Sequence, residues 1–132
     1  MQDIQAPYPL IEFDAHKAAR TYAAFAQALQ DNEAAIAHAL QERRARALQD
    51  FKGRHPNMPA PSRQPVDHEK QISWAIRTCE IKAAPLLAGL GRAWLPERTV
   101  LTLLRMESGQ ALTLLLETGD LHQALGIDRP RM

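Results

Sequence analysis

The sequence predicts an α+β fold in which one long N-terminal helix packs on a small antiparallel sheet, a C-terminal hairpin, with short helices beside it. Three observations lead to this class: residues 10–52 contain no glycine or proline, a proline-rich segment follows them, and Ser108-Gly109 separates two apolar runs. An all-α fold is the alternative, because leucine dominates these runs and favours helices. The 132 residues are expected to form a single domain, 1–132.

Composition and charge narrow the function classes. Lys plus Arg number 16 and Asp plus Glu 15, so the net charge is +1 and exerts no long-range attraction on nucleic acid or an anionic membrane. No apolar run is long enough to span a bilayer, and the first residues lack the pattern of a secretory signal. A cytoplasmic protein without a membrane partner is therefore expected. The lone Cys79 is interpreted as a small, half-buried hydrophobic residue.

The N-terminal part is predicted to be an extended arm, 1–13, followed by a long helix, 14–52. Asp14 suits the N-cap and Gly53 the C-cap. At 1.5 Å per residue such a helix is about 58 Å long, well beyond the roughly 36 Å diameter of a domain of this size. It must therefore break near Asp31-Asn32, overhang its domain, or pack against a second copy. Its apolar stripe comprises Tyr22, Phe25, Leu29, Ile36, Leu40, Ala47 and Phe51.

A proline-rich connector, 53–66, separates this helix from an α+β half, 67–126. Residues 71–81 alternate apolar and polar side chains and are predicted to form a strand. The alternative is a helix with one face made of Ile72, Ile76, Cys79 and Ala83. Pro85 suits the first turn of a short helix over 85–94.

Residues 99–107 and 110–118 are predicted to form a β-hairpin around Ser108-Gly109. Both faces of this hairpin are apolar, so a helix or a partner chain should cover the second face. The all-helical alternative rests on Pro96-Glu97, which is a helix-start signal. Asp120 is expected to cap a short helix, 121–125, that Gly126 ends, and 127–132 form a tail.

No catalytic, cofactor-binding or metal-ligating residue can be assigned from the sequence, which gives no positive case for an enzyme. The five histidines lack the spacing of a helical metal site, and Asp67-His68-Glu69 is only the least unfavourable place for a metal. No nucleophile elbow or phosphate-binding glycine loop is present. Trp74 and Trp94 are expected to be core anchors, with an interface role as the alternative.

A basic patch stands at the C-terminal end of the long helix, where the helix dipole favours cations. A solvated helix end is the preferred interpretation, and a phosphate-binding patch is the alternative. The patch consists of Arg43, Arg44, Arg46, Lys52 and Arg54, with Arg63 close behind in the sequence.

The predicted function is a non-enzymatic, homo-oligomeric protein–protein interaction module, expected to be a homodimer and without a cofactor. The helix that is too long for its domain and the hairpin that is apolar on both faces support this hypothesis. The alternative is a nucleic-acid-associated protein that uses the basic end of the helix. The predicted interface residues are Tyr22, Phe25, Leu29, Ile36, Leu40, Leu104, Met106 and Leu115.

Overall fold

The structure is a computed structural model that describes residues 9–59 and 66–128 of the chain. It is 75% helical, with one two-stranded antiparallel sheet. A mostly helical α+β fold with a small antiparallel sheet is therefore confirmed, but the sheet is not where the sequence predicts it. The elements of the described residues are β1 (Leu10–Asp14), α1 (Ala15–Asp31), α2 (Glu33–Arg54), α3 (His68–Leu87), β2 (Arg92–Pro96), α4 (Glu97–Ser108), α5 (Gln110–Thr118) and α6 (Leu121–Leu125).

The sheet joins the two halves of the chain. Strand β1 pairs antiparallel with β2 in a register that places Glu12 opposite Trp94. Because successive side chains of a strand point to opposite faces, Phe13 and Leu95 pack against the core while Trp94 points outward. The arm predicted over 1–13 is thus a strand from Leu10 onward, and residues 1–8 lie outside the described residues.

The predicted long helix 14–52 is not continuous: of the three alternatives, the break near Asp31-Asn32 is the one that occurs, with Asn32 between α1 and α2. The side-chain amide of Asn32 donates to the carbonyl oxygen of Ala28 over 2.8 Å and so occupies an acceptor at the end of α1. The N-cap prediction is confirmed, since the Asp14 carboxylate accepts from the Lys17 backbone N–H over 3.0 Å. The predicted C-cap is wrong: Gly53 lies inside α2.

Helix α3 replaces the strand predicted over 71–81, and the helical alternative is the one that forms. Ile72, Ala75, Cys79 and Ala83 are buried, at a spacing of three and four residues that places them on one face of a helix. Helix α1 packs more extensively against α3 than against any other element. The alanines that both helices contribute to the core allow their backbones to approach closely.

The short helix predicted over 85–94 is also wrong. Pro85 lies in the last turn of α3, and the chain then turns into β2. Proline supplies no backbone N–H for a helical hydrogen bond, and α3 ends two residues later at Leu87.

Two helices replace the hairpin predicted over 99–118. Helix α4 begins directly after Pro96, as the all-helical alternative proposed. Gly109 has a left-handed backbone with φ of +84°, and this residue ends α4 and precedes α5. The apolar side chains assigned to two faces of a sheet therefore lie on two short helices.

The core draws on all six described helices. The predicted helix α6 is confirmed, with Asp120 accepting from the Gln123 backbone N–H over 3.1 Å and Gly126 at its end. Of the predicted connector, residues 60–65 lie outside the described residues, as do residues 129–132 of the predicted tail. The largest fully buried side chains are Leu29, Ile36, Ile72, Leu103, Leu115 and Cys79.

None of the described helices combines the length and the apolar character that crossing a bilayer requires.

Candidate functional site

A groove of about 440 Å³ lies between α2, α3 and the turn that leads into α6. This volume is within the range of small-molecule pockets in proteins. Three parts of the chain that are distant in sequence supply its walls. The polar and aromatic side chains that line it are Arg43, Arg44, His68, Gln71, Trp74, Asp120 and His122.

Gly119 allows the wall between α5 and α6 to approach α2 closely. A Cβ atom at this position would lie 2.7 Å from the carbonyl oxygen of Ala39, which no side chain tolerates, and the backbone φ is +66°. Only glycine meets both the close approach and the left-handed backbone without strain. The groove therefore depends on a glycine that the sequence analysis did not single out.

Arg43 fastens the same wall to α2. Its guanidinium donates to the carbonyl oxygen of Thr118 over 3.2 Å and lies 3.5 Å from a carboxylate oxygen of Asp120. The Asp120 side chain is only 12% exposed, so this ion pair is partly shielded from water. Asp120 also caps α6, so one carboxylate both starts a helix and binds the arginine.

An aromatic pair forms one side of the groove. The ring of Trp74, on α3, lies 5.2 Å from the ring of His122, on α6, with the planes tilted by 38°. Trp74 is 41% exposed, so part of the indole surface is open to a ligand. At the start of α3, His68 Nδ1 lies 3.2 Å from the side-chain oxygen of Gln71.

The groove lining contains two arginines, Arg43 and Arg44, and one aspartate, Asp120, which pairs with Arg43. A shallower depression continues from the groove past Trp74 and His122, where it adds Lys70 and Asp67.

The described residues do not present an obvious nucleophile or metal centre. Burial raises the pKa of Cys79 to about 12, so this thiol stays protonated and is a poor nucleophile near neutral pH. Burial also raises the pKa of Tyr22 to about 12. No cluster of three or more His, Cys, Asp or Glu side chains in residues 9–59 and 66–128 is arranged to hold a metal ion.

A second surface is apolar and lies on the sheet and the loop before it. Trp94, at the centre of β2, is 63% exposed, and Leu90 in the preceding loop is fully exposed. Leu87, at the end of α3, and Ile81 are exposed to a similar extent as Trp94. These four exposed apolar side chains lie within residues 81–94, and exposed apolar side chains that form one contiguous patch are typical of interaction surfaces.

Most of the predicted interface residues lie inside the chain's own core. Leu104 on α4 is 44% exposed and is the one member of the set that faces solvent. The remaining side chains are covered by other helices of the same chain, so they do not form a free surface. These buried residues are Tyr22, Phe25, Leu29, Ile36, Leu40, Met106 and Leu115.

The predicted basic patch does not act as one uniform surface. Arg43 and Arg44 face the groove, whereas Arg46 points elsewhere on α2 and pairs with Glu42 over 3.8 Å. Lys52 and Arg54 are exposed in the last turn of α2, where they complement the helix dipole. Arg63 lies outside the described residues.

Both tryptophans were predicted to be core anchors, and both predictions are wrong. Trp74 is on the exposed side of α3, two residues from the buried Ile72, and Trp94 is on the outer face of β2. Their interface alternative remains a prediction. The sequence analysis assigned His122 and Asp120 to no site. The residues next to them in sequence do not indicate that α6 lies beside α2 and α3.

The described residues form a mostly helical chain with a small two-stranded sheet, a groove lined by polar and aromatic side chains, and exposed apolar residues on and near β2. No protein-family model, no curated protein and no solved structure gives a significant match to this chain.

Proposed function

We propose that the protein is a non-enzymatic interaction module that forms a homodimer through its two-stranded sheet. The observation that carries this proposal is the exposure of Trp94 at the centre of β2, on a sheet with only two strands in the described chain. A two-stranded sheet is only marginally stable by itself, and each strand has an edge with unpaired backbone groups. A second copy can pair with that edge and cover the indole.

The charges on the two strands favour β2 as the dimer edge. A twofold axis through the central residue of β2 would place Trp94 opposite Trp94 of the second copy and Arg92 opposite Pro96. The same pairing of β1 would place Glu12 opposite Glu12, where like charges repel. Pairing through the β2 edge therefore gives a four-stranded sheet in which no like charges face each other. Aromatic cross-strand pairs stabilise such sheets.

The neighbouring exposed residues support the same surface. Leu90 and Leu87 precede β2 and would add apolar area around the paired strands. Trp94 is the expected energetic centre, because buried tryptophans contribute more to interface stability than most residue types. A homodimer is thus still expected, but its expected interface is the sheet and not the long helix.

Light scattering after size-exclusion chromatography tests the proposal. The wild-type chain is expected to elute at twice 14.8 kDa at micromolar concentration. Trp94→Glu should weaken the dimer at least about tenfold, because it replaces the central apolar contact with two negative charges that face each other. Leu104→Glu on α4 is the matched control and should leave the dimer intact. A wild-type monomer at all concentrations, or a dimer broken by Leu104→Glu alone, would contradict the proposal.

The alternative function, association with nucleic acid through the basic end of α2, has weaker support. Arg43 and Arg46 have acidic partners within the chain, and the net charge is only +1. Its signature is binding that weakens steeply with salt, because each phosphate contact releases a counterion. Salt-insensitive binding, or no binding, would reject this alternative.

A further inference from the structure

The groove between α2, α3 and α6 has the chemistry of a small-molecule site that is separate from the dimer surface. We propose that it binds a small anion that carries a planar aromatic ring, of the nucleoside monophosphate class. This ligand class combines a flat ring with a phosphate, and the groove offers a counterpart to each. The inference is independent of the dimer, since no groove residue belongs to the sheet.

The ring is assigned to the surface around Trp74. The indole is 41% exposed, and its ring centroid lies 5.2 Å from that of the neighbouring His122 ring. Trp74 lines the groove together with the apolar side chains of Leu40 and Leu121. An aromatic base that stacks on tryptophan gains substantially in affinity, and every base has a face that can stack.

The phosphate is assigned to the α2 wall. Arg43 and Arg44 are adjacent in sequence and both line the groove, while Asp120 is the one carboxylate there. The contacts of Arg43 with Thr118 and Asp120 fix the position of its guanidinium before a ligand arrives. Guanidinium groups match the geometry of phosphate oxygens and bind them through charge-assisted hydrogen bonds.

The size of the groove agrees with one nucleotide and not with a duplex. A cavity of about 440 Å³ is at the lower end of the range for ligands of this size. The phosphate and ring can come from a free nucleotide or from the end of a single strand. The experiment below distinguishes these two sources.

Titration of the ¹⁵N-labelled protein followed by two-dimensional NMR tests the proposal at residue resolution. The chain has two tryptophans, so Trp74 and Trp94 give two indole N–H signals, which a Trp94→Phe variant assigns. Adenosine monophosphate is expected to shift the Trp74 signal saturably and leave the Trp94 signal in place. Adenosine alone and inorganic phosphate alone should bind at least about tenfold more weakly, because each has only half of the contacts.

Two arginines of the same helix provide a matched pair of variants. Arg44→Ala, inside the groove, should lower the affinity for adenosine monophosphate at least about tenfold, whereas Arg46→Ala, outside it, should not change it. Trp74→Leu should also weaken binding and serves as the second variant if Arg44→Ala is poorly folded. The NMR spectrum reports the fold of each variant directly.

A short single-stranded oligonucleotide is the last arm of the experiment. Tighter binding of the oligonucleotide than of the mononucleotide identifies a strand as the source of the ligand, and equal or weaker binding identifies the free nucleotide. The proposal is overturned if adenosine monophosphate gives no saturable shift at Trp74. It is equally overturned if phosphate alone binds as well, or if Arg46→Ala weakens binding as much as Arg44→Ala does.

Discussion

Gly119 allows the groove wall to lie close to α2, so its substitution should destabilise the fold. Its φ of +66° costs an L-residue about 1–2 kcal/mol, and a Cβ would lie 2.7 Å from the Ala39 carbonyl oxygen. Because backbone cannot yield as a flexible side chain does, Gly119→Ala is expected to lower the free energy of unfolding by about 2–4 kcal/mol. Urea denaturation followed by circular dichroism measures this change.

Gly109 is the matched control for that substitution. It also has a left-handed backbone, with φ of +84°, but a Cβ there would meet nothing within 4 Å. Gly109→Ala should therefore cost only about 1–2 kcal/mol, which is the conformational part alone. Equal losses for the two variants would show that the close approach between the α5–α6 turn and α2 does not contribute to stability.

At the residue scale, the sequence predicts which side chains are apolar and regularly spaced, but not what covers them. The stripe containing Tyr22, Phe25 and Leu29 is buried as helical spacing predicts. Its buried state removes it as a partner surface, because α3 of the same chain packs against α1. The prediction for the two tryptophans is wrong for the opposite reason. A large apolar side chain is expected to be buried, but both tryptophans lie on outward faces.

At the element scale, the start of α6 carries a prediction about Asp120. Asp120→Ala removes a helix cap and also the carboxylate that faces Arg43, so it is expected to cost about 2 kcal/mol of stability. Asp67→Ala removes only the cap on α3, where Asp67 accepts from the Lys70 backbone N–H, and should cost about 1 kcal/mol. Thermal unfolding of the two variants provides the comparison.

Asp120→Asn separates the two roles of that residue. The amide oxygen can still accept the hydrogen bond that caps α6, but the charge opposite Arg43 is lost. Its stability should therefore lie between those of the wild type and Asp120→Ala. If Asp120→Asn is as unstable as Asp120→Ala, the ion pair with Arg43 accounts for the effect and the cap does not.

The errors in element type come from signals that two structures share. Gly109 requires a left-handed backbone whether it ends a helix or forms a hairpin turn, so the glycine itself does not distinguish the two. In α3, the alternation of Ile72, Trp74 and Ile76 is compatible with a strand, and burial of Ile72, Ala75 and Cys79 decides for the helix. That burial depends on α1, which is far away in sequence.

At the scale of the whole molecule, the decisive contacts join residues that are distant along the chain. Strand β1 pairs with β2, and α1 packs mainly against α3. The groove depends on the same kind of long-range contact, since the hydrogen-bonded Arg43 and Thr118 are 75 residues apart in sequence. A single sequence contains no direct signal for these pairings. The caps at Asp14 and Asp120 were predictable because their hydrogen bonds span only three residues.

This distribution of contacts predicts that neither half of the chain folds alone. A fragment of residues 1–59 contains β1, α1 and α2 but none of β2, α3 or α5, against which these elements pack. Most of the stability of a protein helix comes from tertiary packing of its apolar face, so the fragment should give only a weak helical circular dichroism signal.

Mixing the fragment with residues 60–132 should restore the helical signal beyond the sum of the separate spectra, because the two pieces together rebuild the α1–α3 interface. A fragment carrying Leu29→Asp is the control and should fail to restore it, since Leu29 is fully buried in the shared core. A fragment 1–59 that is already strongly helical and gains nothing on mixing would show that local propensity, and not the long-range packing of α1 on α3, determines the N-terminal half.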